Sequence, residues 1–322
     1  MTGVLVSAPA RLHLGMLDPA GTGRRRFGGF GTGVEWPRVV VEASAAPGDG
    51  AVVDGEDAER ATAFAQRCWA ALGGGGGVRV VVREAIPPHV GLGSGTKLGL
   101  AIARALAEVA GVRAGPAELA AAAGRGARSS VGSWTFAAPG LVVEGGARVD
   151  GTRLSPLLAR IAMPAPWRCV LALPAGASGL AGLAEHGAFE RLQGSGAGTG
   201  RVAHLLLTAM LPGLVEQDID EFGAALTEIQ REVGGAFAEL QGGVYHPRAA
   251  ALVEAMLALG VPGVGQSSWG PAVYGIVESQ ARAAAVAQAL RASFARDTEV
   301  RVVDFARSGA TVQAAQSTVR VS

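Results

Sequence analysis

The sequence predicts an α/β or α+β protein of two domains. Segments rich in β-branched residues alternate with amphipathic segments of helical period along the chain, a pattern typical of sheets packed against helices. The chain has 322 residues, which is about twice the usual length of one domain. After Asp150 the pattern changes to a stretch of small residues followed by consecutive helices. We therefore expect one domain at residues 1–155 and a second at residues 156–322.

The composition indicates a well-packed protein without an excess of charge. Hydrophobic residues make up 49% of the chain and charged residues 17%, and the formal net charge is +1. This balance gives no reason to expect nucleic acid or a membrane surface as a partner. Cys68 and Cys169 have no metal-ligand spacing and are typical of buried thiols in a reducing compartment. The N-terminus shows no signal peptide, so we expect a cytoplasmic protein.

Local patterns predict the elements of the first domain. Strands are expected at residues 4–7, 38–42 and 78–83, and helices at residues 57–72, at residues 96–110 and from residue 116. Residues 141–149 predict a hairpin that turns at Gly145 and Gly146.

The second domain has a similar alternation after a long connection. Residues 175–200 are rich in Gly, Ala and Ser and predict a mobile loop or lid. Helices are expected at residues 202–211, 218–233, 247–259 and 281–292, and strands at residues 167–173, 272–277 and 299–305.

The most informative segment is GLGSGTK at residues 91–97. Its three glycines let backbone N–H groups converge on an anion, and the helix that follows adds free N–H groups and the positive end of its dipole. Ser94 and Thr96 can cap this helix or bind a phosphate oxygen. Lys97, the only lysine of the chain, is unfavourable in a first helical turn unless an anion lies nearby. The segment predicts a phosphate cradle, and an ordinary glycine-rich turn is the alternative.

Three motifs in chain order resemble the GHMP kinase superfamily. They are residues 8–15 (APARLHLG), 87–94 (PPHVGLGS) and 263–275 (GVGQSSWGPAVYG). The resemblance implies a GHMP-kinase-like fold, with an N-terminal ribosomal-protein-S5-like α/β domain that contains the phosphate loop and a C-terminal ferredoxin-like α/β domain.

Further segments are similar to one branch of that superfamily, the beta-ribofuranosylaminobenzene 5'-phosphate synthases. These segments are residues 26–31 (RFGGFG), 125–132 (RGARSSVG) and 266–271 (QSSWGP). The last is the most specific, because kinases of the superfamily usually have a Gly/Ala/Ser-rich loop there. Lys97 and Glu144 depart from the branch, where a neutral polar residue and an aspartate are expected, and their roles stay open.

The resemblance implies transfer of a phosphoribosyl group from 5-phosphoribosyl 1-diphosphate to a para-substituted benzoate. Diphosphate and CO2 leave, and the product is a C-riboside 5'-phosphate of methanopterin biosynthesis. The acceptor is 4-aminobenzoate or 4-hydroxybenzoate. The resemblance also implies Mg²⁺, no organic cofactor, and a homodimer.

The matching motifs contain the residues expected to act on these substrates. The expected catalytic residues are Lys97, Arg128 and His13. The expected phosphate-binding residues are Gly91, Gly93, Ser94, Gly95 and Thr96. The expected substrate-binding residues are Arg11, Arg26, His89, Ser129, Ser130, Gln266, Ser267, Ser268 and Trp269. Guanidinium forks match phosphates and carboxylates, whereas His13 could equally be structural and Trp269 could stack on the ring or pack between domains.

Two other functions stay open. An ATP-dependent small-molecule kinase of the same fold would use the glycine loop for ATP, and such kinases often use an aspartate base after the second helix. Residues 125–140 contain neither Asp nor Glu, which counts against a kinase. A non-catalytic binding module is the second alternative, against which the unbroken glycine loop counts.

Overall fold

The computed structural model of the chain describes residues 3–19, 21, 23–126, 129–148, 154–177, 179, 199–294 and 296–315. These residues form two sheets with helices packed against them, which confirms the predicted α+β class. Within the described residues, no helix is both long enough and apolar enough to cross a membrane.

The first sheet is built mainly from two long antiparallel strands. Its strands are β1 (Gly3–Asp18), β2 (Arg25–Ala46), β3 (Gly50–Gly55), β4 (Gly77–Glu84), β5 (Leu141–Glu144), β6 (Ala147–Arg148), β7 (Leu157–Ile161) and β12 (Thr311–Ala315). Its helices are α1 (Ala58–Ala71), α2 (Ser94–Ala110), α3 (Pro116–Ala122) and α4 (Val131–Ala137). The main strand order is β12-β1-β2-β4-β3. Within this order only β3 and β4 are parallel, and helix α1 connects them. The apolar face of α2 packs on β1 and β2.

The strands β1 and β2 are much longer than the sequence predicts. The glycine-rich part of β2, residues 28–33, has the composition of a loop, yet it pairs with β1. Tertiary packing explains the glycines: a Cβ atom at Gly31 would lie 2.8 Å from Val131 of α4, and one at Gly29 would lie 3.1 Å from Nε2 of His13. The missing side chains make room for α4 and for His13.

The predicted hairpin at residues 141–149 is wrong. Strands β5 and β6 do not pair with each other; both pair with β2, at Glu144 opposite Gly29 and at Arg148 opposite Arg25. Gly146, with φ 80°, lets the chain continue along the same neighbour. A Gly-Gly pair between two short strands locally favours a turn. Here the chain instead continues along β2, because both β5 and β6 hydrogen-bond to β2.

The second sheet has four antiparallel strands. They are β8 (Arg168–Pro174), β9 (Gly263–Gln266), β10 (Val273–Val277) and β11 (Thr298–Val303), in the order β11-β8-β10-β9. The remaining helices are α5 (Thr199–Leu205), α6 (Leu211–Glu216), α7 (Ile219–Ala236), α8 (Ala238–Gln241), α9 (Pro247–Ala258) and α10 (Gln280–Phe294), with a π-helical turn at Leu206–Met210 between α5 and α6. Numbered along the chain, the strand order is 4-1-3-2, with helices after the first and third strands. This is a ferredoxin-like arrangement.

The two sheets do not divide the chain at residue 155. Strand β7 pairs with β5, and β12, near the other end of the chain, pairs with β1. Residues 157–161 and 311–315 therefore belong to the first sheet, although the predicted second domain spans 156–322. The predicted lid at residues 175–200 lies largely outside the described residues, because 178 and 180–198 are not described.

Helix α7 supplies contacts between the two sheets, and its start is well capped. Asp218 Oδ1 accepts the N–H groups of Asp220 and Glu221, both at 3.0 Å.

We expect Asp218→Ala to lower the free energy of unfolding by about 1 kcal/mol, because these two donors lose their acceptor. Asp218→Asn keeps the oxygen and should keep most of the stability. Chemical denaturation of both variants checks this, and equal losses would contradict it.

Candidate active site

Three distant segments meet at one carbonyl oxygen of the glycine loop. Arg11 Nη1 of β1 donates to Gly91 O at 2.6 Å, and the Ser267 hydroxyl, just after β9, donates to the same oxygen at 2.7 Å. The Ser267 hydroxyl also accepts the backbone N–H of His13 at 3.0 Å. These three hydrogen bonds, which we call the clamp on Gly91, hold the glycine loop, β1 and the QSSWGP segment together.

Two glycines make this close approach possible. Gly91 has φ 93°, and a Cβ atom there would overlap the carbonyl of Ser267. A Cβ atom at Gly270 would overlap the backbone of Val90. The two motifs touch backbone to backbone, so packing alone requires glycine at these two positions.

The start of α2 is electropositive. Its N-cap residue Gly93 has φ 78°, no side chain caps the helix, and its first turn contains no acidic residue. Two guanidinium groups flank this turn: Arg125 Nη2 lies 3.1 Å and Arg60 Nη1 3.7 Å from the position of a Cβ atom on Gly95. The helix dipole, the first-turn N–H groups and two forked cations together suit a diphosphate.

Both arginines are held in place by neighbours on α1 and beside it. Arg60 is paired with Asp57 and reaches the Ser94 hydroxyl at 3.4 Å. The Arg125 guanidinium carbon lies 4.8 Å from the centre of the Phe64 ring, a cation–π distance. Their orientation toward Gly95 is therefore set before any anion binds.

The Lys97 ammonium does not reach this surface. Lys97 is fully buried, its Nζ donates to the Thr135 hydroxyl at 3.0 Å, and it lies 5.9 Å from the centre of the Phe136 ring. Burial, reinforced by the charges of Arg11 and Arg38, holds the pKa of Lys97 well below its usual value. Lys97, expected as a catalytic residue, does not reach the phosphate cradle, because its side chain turns inward between α2 and α4.

A cleft lies between β1 and α7, beside the clamp on Gly91. The space within it that water-sized molecules can occupy is about 40 Å³. Its apolar lining residues are Met16, Val233, Phe237, Val244 and Trp269. The rings of Phe237 and Trp269 meet edge to face with centroids 4.2 Å apart. No Asp, Glu, Lys or Arg is found among the described residues that line the cleft.

Three glutamine amides organise the polar wall of the cleft. Gln230 of α7 donates to Leu14 O at 2.7 Å and accepts the N–H of Gln266 at 2.9 Å. The Gln266 side chain donates to Gln241 Oε1 at 3.3 Å and to Ser268 O at 3.0 Å, and accepts the N–H of His246 at 2.6 Å. The amides therefore join β1 to the second sheet.

His13 lines the cleft as a neutral imidazole. Its side chain is buried, and Nε2 lies 3.2 Å from the Ser129 hydroxyl. Burial, with the nearby Arg11 charge, lowers the pKa of His13 from 6.5 to about 3. At neutral pH the ring can donate or accept a hydrogen bond without adding charge.

Glu144 fixes the segment that follows residue 128. It is fully buried, and its carboxylate accepts the N–H of Ser130 at 3.2 Å and of Gly146 at 2.8 Å. Burial raises the pKa of Glu144, and the two backbone hydrogen bonds oppose that rise. The Ser130 hydroxyl accepts the Ser155 N–H at 2.9 Å. Glu144 and Ser130 thus position Ser129 beside His13.

The structure brings together only part of the predicted site. Arg11, His13, Ser129, Gln266, Ser267, Ser268, Trp269 and the residues of the glycine loop lie at or beside the clamp and cleft. Arg26 lies near the far end of the β1–β2 pair, opposite Ala147, and His89 is exposed and bonds Gly179 through its carbonyl. Arg128 lies outside the described residues.

Several site residues have no signature in the sequence. They are Arg60, Arg125, Gln230, Phe237, Gln241 and Tyr245. The two arginines are ordinary among 28 basic residues, and the others lie on or after α7, which local patterns predict only as an amphipathic helix. The one available indication was that Arg125 begins the RGARSSVG motif.

Named relatives and domain families show which family this chain belongs to. The chain is 33% identical over 291 residues to a beta-ribofuranosylphenol 5'-phosphate synthase of Archaeoglobus fulgidus, covering 85% of this chain and 87% of the relative. It is 30% identical over 301 residues to the synthase of the same name from Methanothermobacter thermautotrophicus, covering 86% and 89%. The chain belongs to the beta-ribofuranosylphenol 5'-phosphate synthase family. It is therefore an enzyme, and the predicted resemblance to this group of synthases is confirmed.

The wider superfamily is confirmed as well. The GHMP kinases N terminal domain family matches residues 59–136, and the GHMP kinases C terminal family matches residues 210–296. Among solved structures, the fold is similar to homoserine kinase from Cytophaga hutchinsonii (TM-score 0.64, 18% identity, 97% of each chain covered). It is also similar to L. major mevalonate kinase (TM-score 0.67, 14% identity, 92% of this chain and 94% of the other covered). These likenesses concern the fold of the synthase family, not its chemistry.

The buried Lys97 predicts a pH-dependent stability. Because its folded-state pKa lies below the unfolded value of about 10.4, the unfolded chain takes up a proton first as pH falls, and folding stability is lost. We expect Lys97→Met to gain stability over the native protein as pH is lowered from about 10 to 7, by at most about 1.4 kcal/mol per pH unit.

The control is Leu98→Met on the same helix, which changes stability without adding or removing a titrating group. Denaturation at a series of pH values gives both differences. A Lys97→Met difference that stays constant with pH, like that of Leu98→Met, would contradict the buried-amine interpretation.

Proposed function

We propose that this enzyme transfers the 5-phosphoribosyl group of 5-phosphoribosyl 1-diphosphate to 4-hydroxybenzoate. CO2 and diphosphate leave, and the product is a beta-ribofuranosylphenol 5'-phosphate. The observation on which the proposal rests is the juxtaposition of an electropositive helix start at α2 with an uncharged, aromatic cleft. The phenol in the names of the relatives supports the hydroxyl acceptor over the amino one. We assign the reaction to methanopterin biosynthesis on the family resemblance.

The donor binds with its diphosphate at the start of α2. The first-turn N–H groups and the Arg60 and Arg125 guanidiniums offer several donors to the phosphate oxygens. Negative charge on the diphosphate grows as the bond between ribose C1 and oxygen breaks, so donors aimed at these oxygens stabilise the transition state more than the ground state. Arg128 is proposed for the same phosphates.

The aromatic acid binds in the cleft with its carboxylate end toward the clamp on Gly91. The ring carbon that bears the carboxylate bonds to ribose C1 while the C1–oxygen pair leaves with diphosphate. The carbon–carboxylate bond then breaks, CO2 departs, and its electron pair restores the aromatic ring. The apolar wall of Phe237 and Trp269 holds the ring. No external base is needed for this balance.

Magnesium is proposed as part of the donor complex. Within the described residues, no group of three His, Cys, Asp or Glu side chains could hold a metal ion. Asp57 is paired with Arg60, and the Glu144 carboxylate is buried against backbone N–H groups. Mg²⁺ commonly binds through substrate phosphates with few protein ligands, so we expect it to arrive with the diphosphate.

A kinase of the same fold is the second candidate, supported by the superfamily match alone. A kinase acceptor is an alcohol whose proton must be removed. The described residues that line the cleft include no carboxylate, and residues 125–140 contain none. We therefore favour the phosphoribosyl transfer.

A direct assay tests the proposed reaction. The purified enzyme with Mg²⁺ and 5-phosphoribosyl 1-diphosphate should release CO2 from carboxyl-labelled 4-hydroxybenzoate and form one equivalent of diphosphate. Parallel reactions with 4-aminobenzoate and with ATP plus a small alcohol serve as comparisons. ATP-dependent phosphorylation of the alcohol, without CO2 release from either acid, would favour the kinase.

The two arginines beside α2 should act on the donor and not on the acid. We expect Arg60→Met and Arg125→Met each to raise KM for 5-phosphoribosyl 1-diphosphate about ten-fold or more, because each loses a charge-assisted hydrogen bond. KM for the aromatic acid should change little. Arg104→Met, in an exposed pair with Glu108 on α2, is the matched control. An increase confined to KM of the acid would argue against the donor site.

A further inference from the structure

Each carbonyl oxygen from residue 89 to residue 93 accepts a hydrogen bond from within the protein. Two successive oxygens bind Arg11: Leu92 O accepts its backbone N–H at 3.1 Å, and Gly91 O accepts its guanidinium at 2.6 Å. The Ser267 hydroxyl also donates to Gly91 O, at 2.7 Å. The other three oxygens accept backbone N–H groups: His89 O from Gly179, Val90 O from Ala272 and Gly93 O from Lys97. The acceptors of this segment are therefore used inside the protein.

The N–H groups of the same segment are not used in this way. A peptide unit is planar and trans, so the C=O of one residue and the N–H of the next point in opposite directions. The carbonyls of Gly91 and Leu92 point toward Arg11, so the N–H groups of Leu92 and Gly93 point away from β1. In the part of the chain that the structure describes, no acceptor is found for these two N–H groups or for those of residues 94–96, which begin α2. The loop therefore extends the row of donors at the helix start by two.

Arg11 and Ser267 hold this segment from its buried side. Ser267 is fully buried, and its single O–H is used on Gly91 O. The stem of Arg11 packs against the loop, since its Cγ lies 2.9 Å from the position of a Cβ atom on Gly93. The two side chains thus hold the carbonyl side of peptide units whose N–H groups face the other way.

We propose that Arg11 and Ser267 are positioning residues of the donor site. By holding the carbonyls of Gly91 and Leu92, they aim the N–H groups of Leu92 and Gly93 at the leaving diphosphate. The inference rests on the proposed function. Donors that are oriented in advance stabilise growing negative charge without rearranging during the reaction. A peptide unit released from the clamp can rotate and present its carbonyl oxygen to the anion in place of an N–H.

Binding of inorganic diphosphate in the presence of Mg²⁺, measured by calorimetry, tests this positioning without turnover. We expect Ser267→Ala to weaken binding about five-fold or more, the effect of about one hydrogen bond, although this serine is neutral and fully buried. Ser267→Cys keeps a weaker donor of similar size and should lose less than Ser267→Ala.

Ser133→Ala is the matched control. Ser133 of α4 is also a buried serine, and its hydroxyl has no hydrogen-bond partner among the described residues. The affinity of this variant for diphosphate should equal that of the native enzyme.

A double-mutant cycle distinguishes positioning by Arg11 from direct contact with the anion. Arg11→Met should also weaken diphosphate binding about five-fold or more. Because Arg11 and Ser267 act on the same carbonyl oxygen, the combined variant should lose little more affinity than the weaker of the two single variants. A guanidinium that contacts the anion itself would make the two losses multiply.

The outcomes separate the positioning role from the proposed donor site. Native affinity in both Ser267→Ala and Ser267→Cys overturns the role of Ser267, and multiplied losses overturn that of Arg11, while the donor site stands. An equal loss in Ser133→Ala overturns both roles, because the effect would then be general loosening of the fold. If the native enzyme does not bind diphosphate with Mg²⁺, the proposed donor site fails and the inference fails with it.

Discussion

The carbonyl oxygen of Gly91 is the point on which the site depends. It accepts hydrogen bonds from Arg11 and Ser267, and the Ser267 hydroxyl in turn accepts from the backbone of His13. These contacts join segments separated by 80, 176 and 254 residues. The single O–H of Ser267 is used on Gly91 O and one of its two lone pairs on the His13 N–H, so Ser267 holds the loop, and its expected contact with substrate stays a prediction. The electropositive helix start and the neutral cleft lie on the two sides of this contact.

The charges are divided between these two sides in a way that fits the proposed chemistry. Arg60 and Arg125 flank the start of α2, whereas the described lining of the cleft contains no charged side chain and a histidine that stays neutral. Cations at the diphosphate favour a transition state in which that group gains negative charge. A cation gripping the benzoate carboxylate would stabilise the ground state, since this charge is lost when CO2 leaves. The cleft holds the ring by its faces and edges, and the one cation at the clamp, Arg11, donates to the Gly91 carbonyl.

Elements decided by local chemistry are predictable from the sequence. The glycine loop and α2 were predicted because a strand, three glycines and an apolar helical face follow one another directly. Features decided by distant parts of the chain are not predictable from the sequence. The glycines of β2 make room for α4, residues 145–146 connect two strands that both pair with β2, and Lys97 turns inward to Thr135. Tyr245 and Gln241 have no sequence signature, because they become lining residues of the cleft only when α7 packs near β1. Motif matching gives Ser130 a substrate role, and the structure shows a buried side chain whose hydroxyl accepts the Ser155 N–H; the substrate role stays a prediction.

The fold shared with homoserine and mevalonate kinases does not determine the reaction, since one scaffold can host many chemistries. What differs is how the acceptor becomes a nucleophile. An alcohol needs a base to remove its proton, whereas a benzoate supplies its own electron pair when its carboxylate leaves as CO2. The Glu144 carboxylate, which binds the Ser130 N–H, is buried and also accepts the Gly146 N–H. A group so placed stiffens the wall of the site, and the proposed transfer asks nothing more of it.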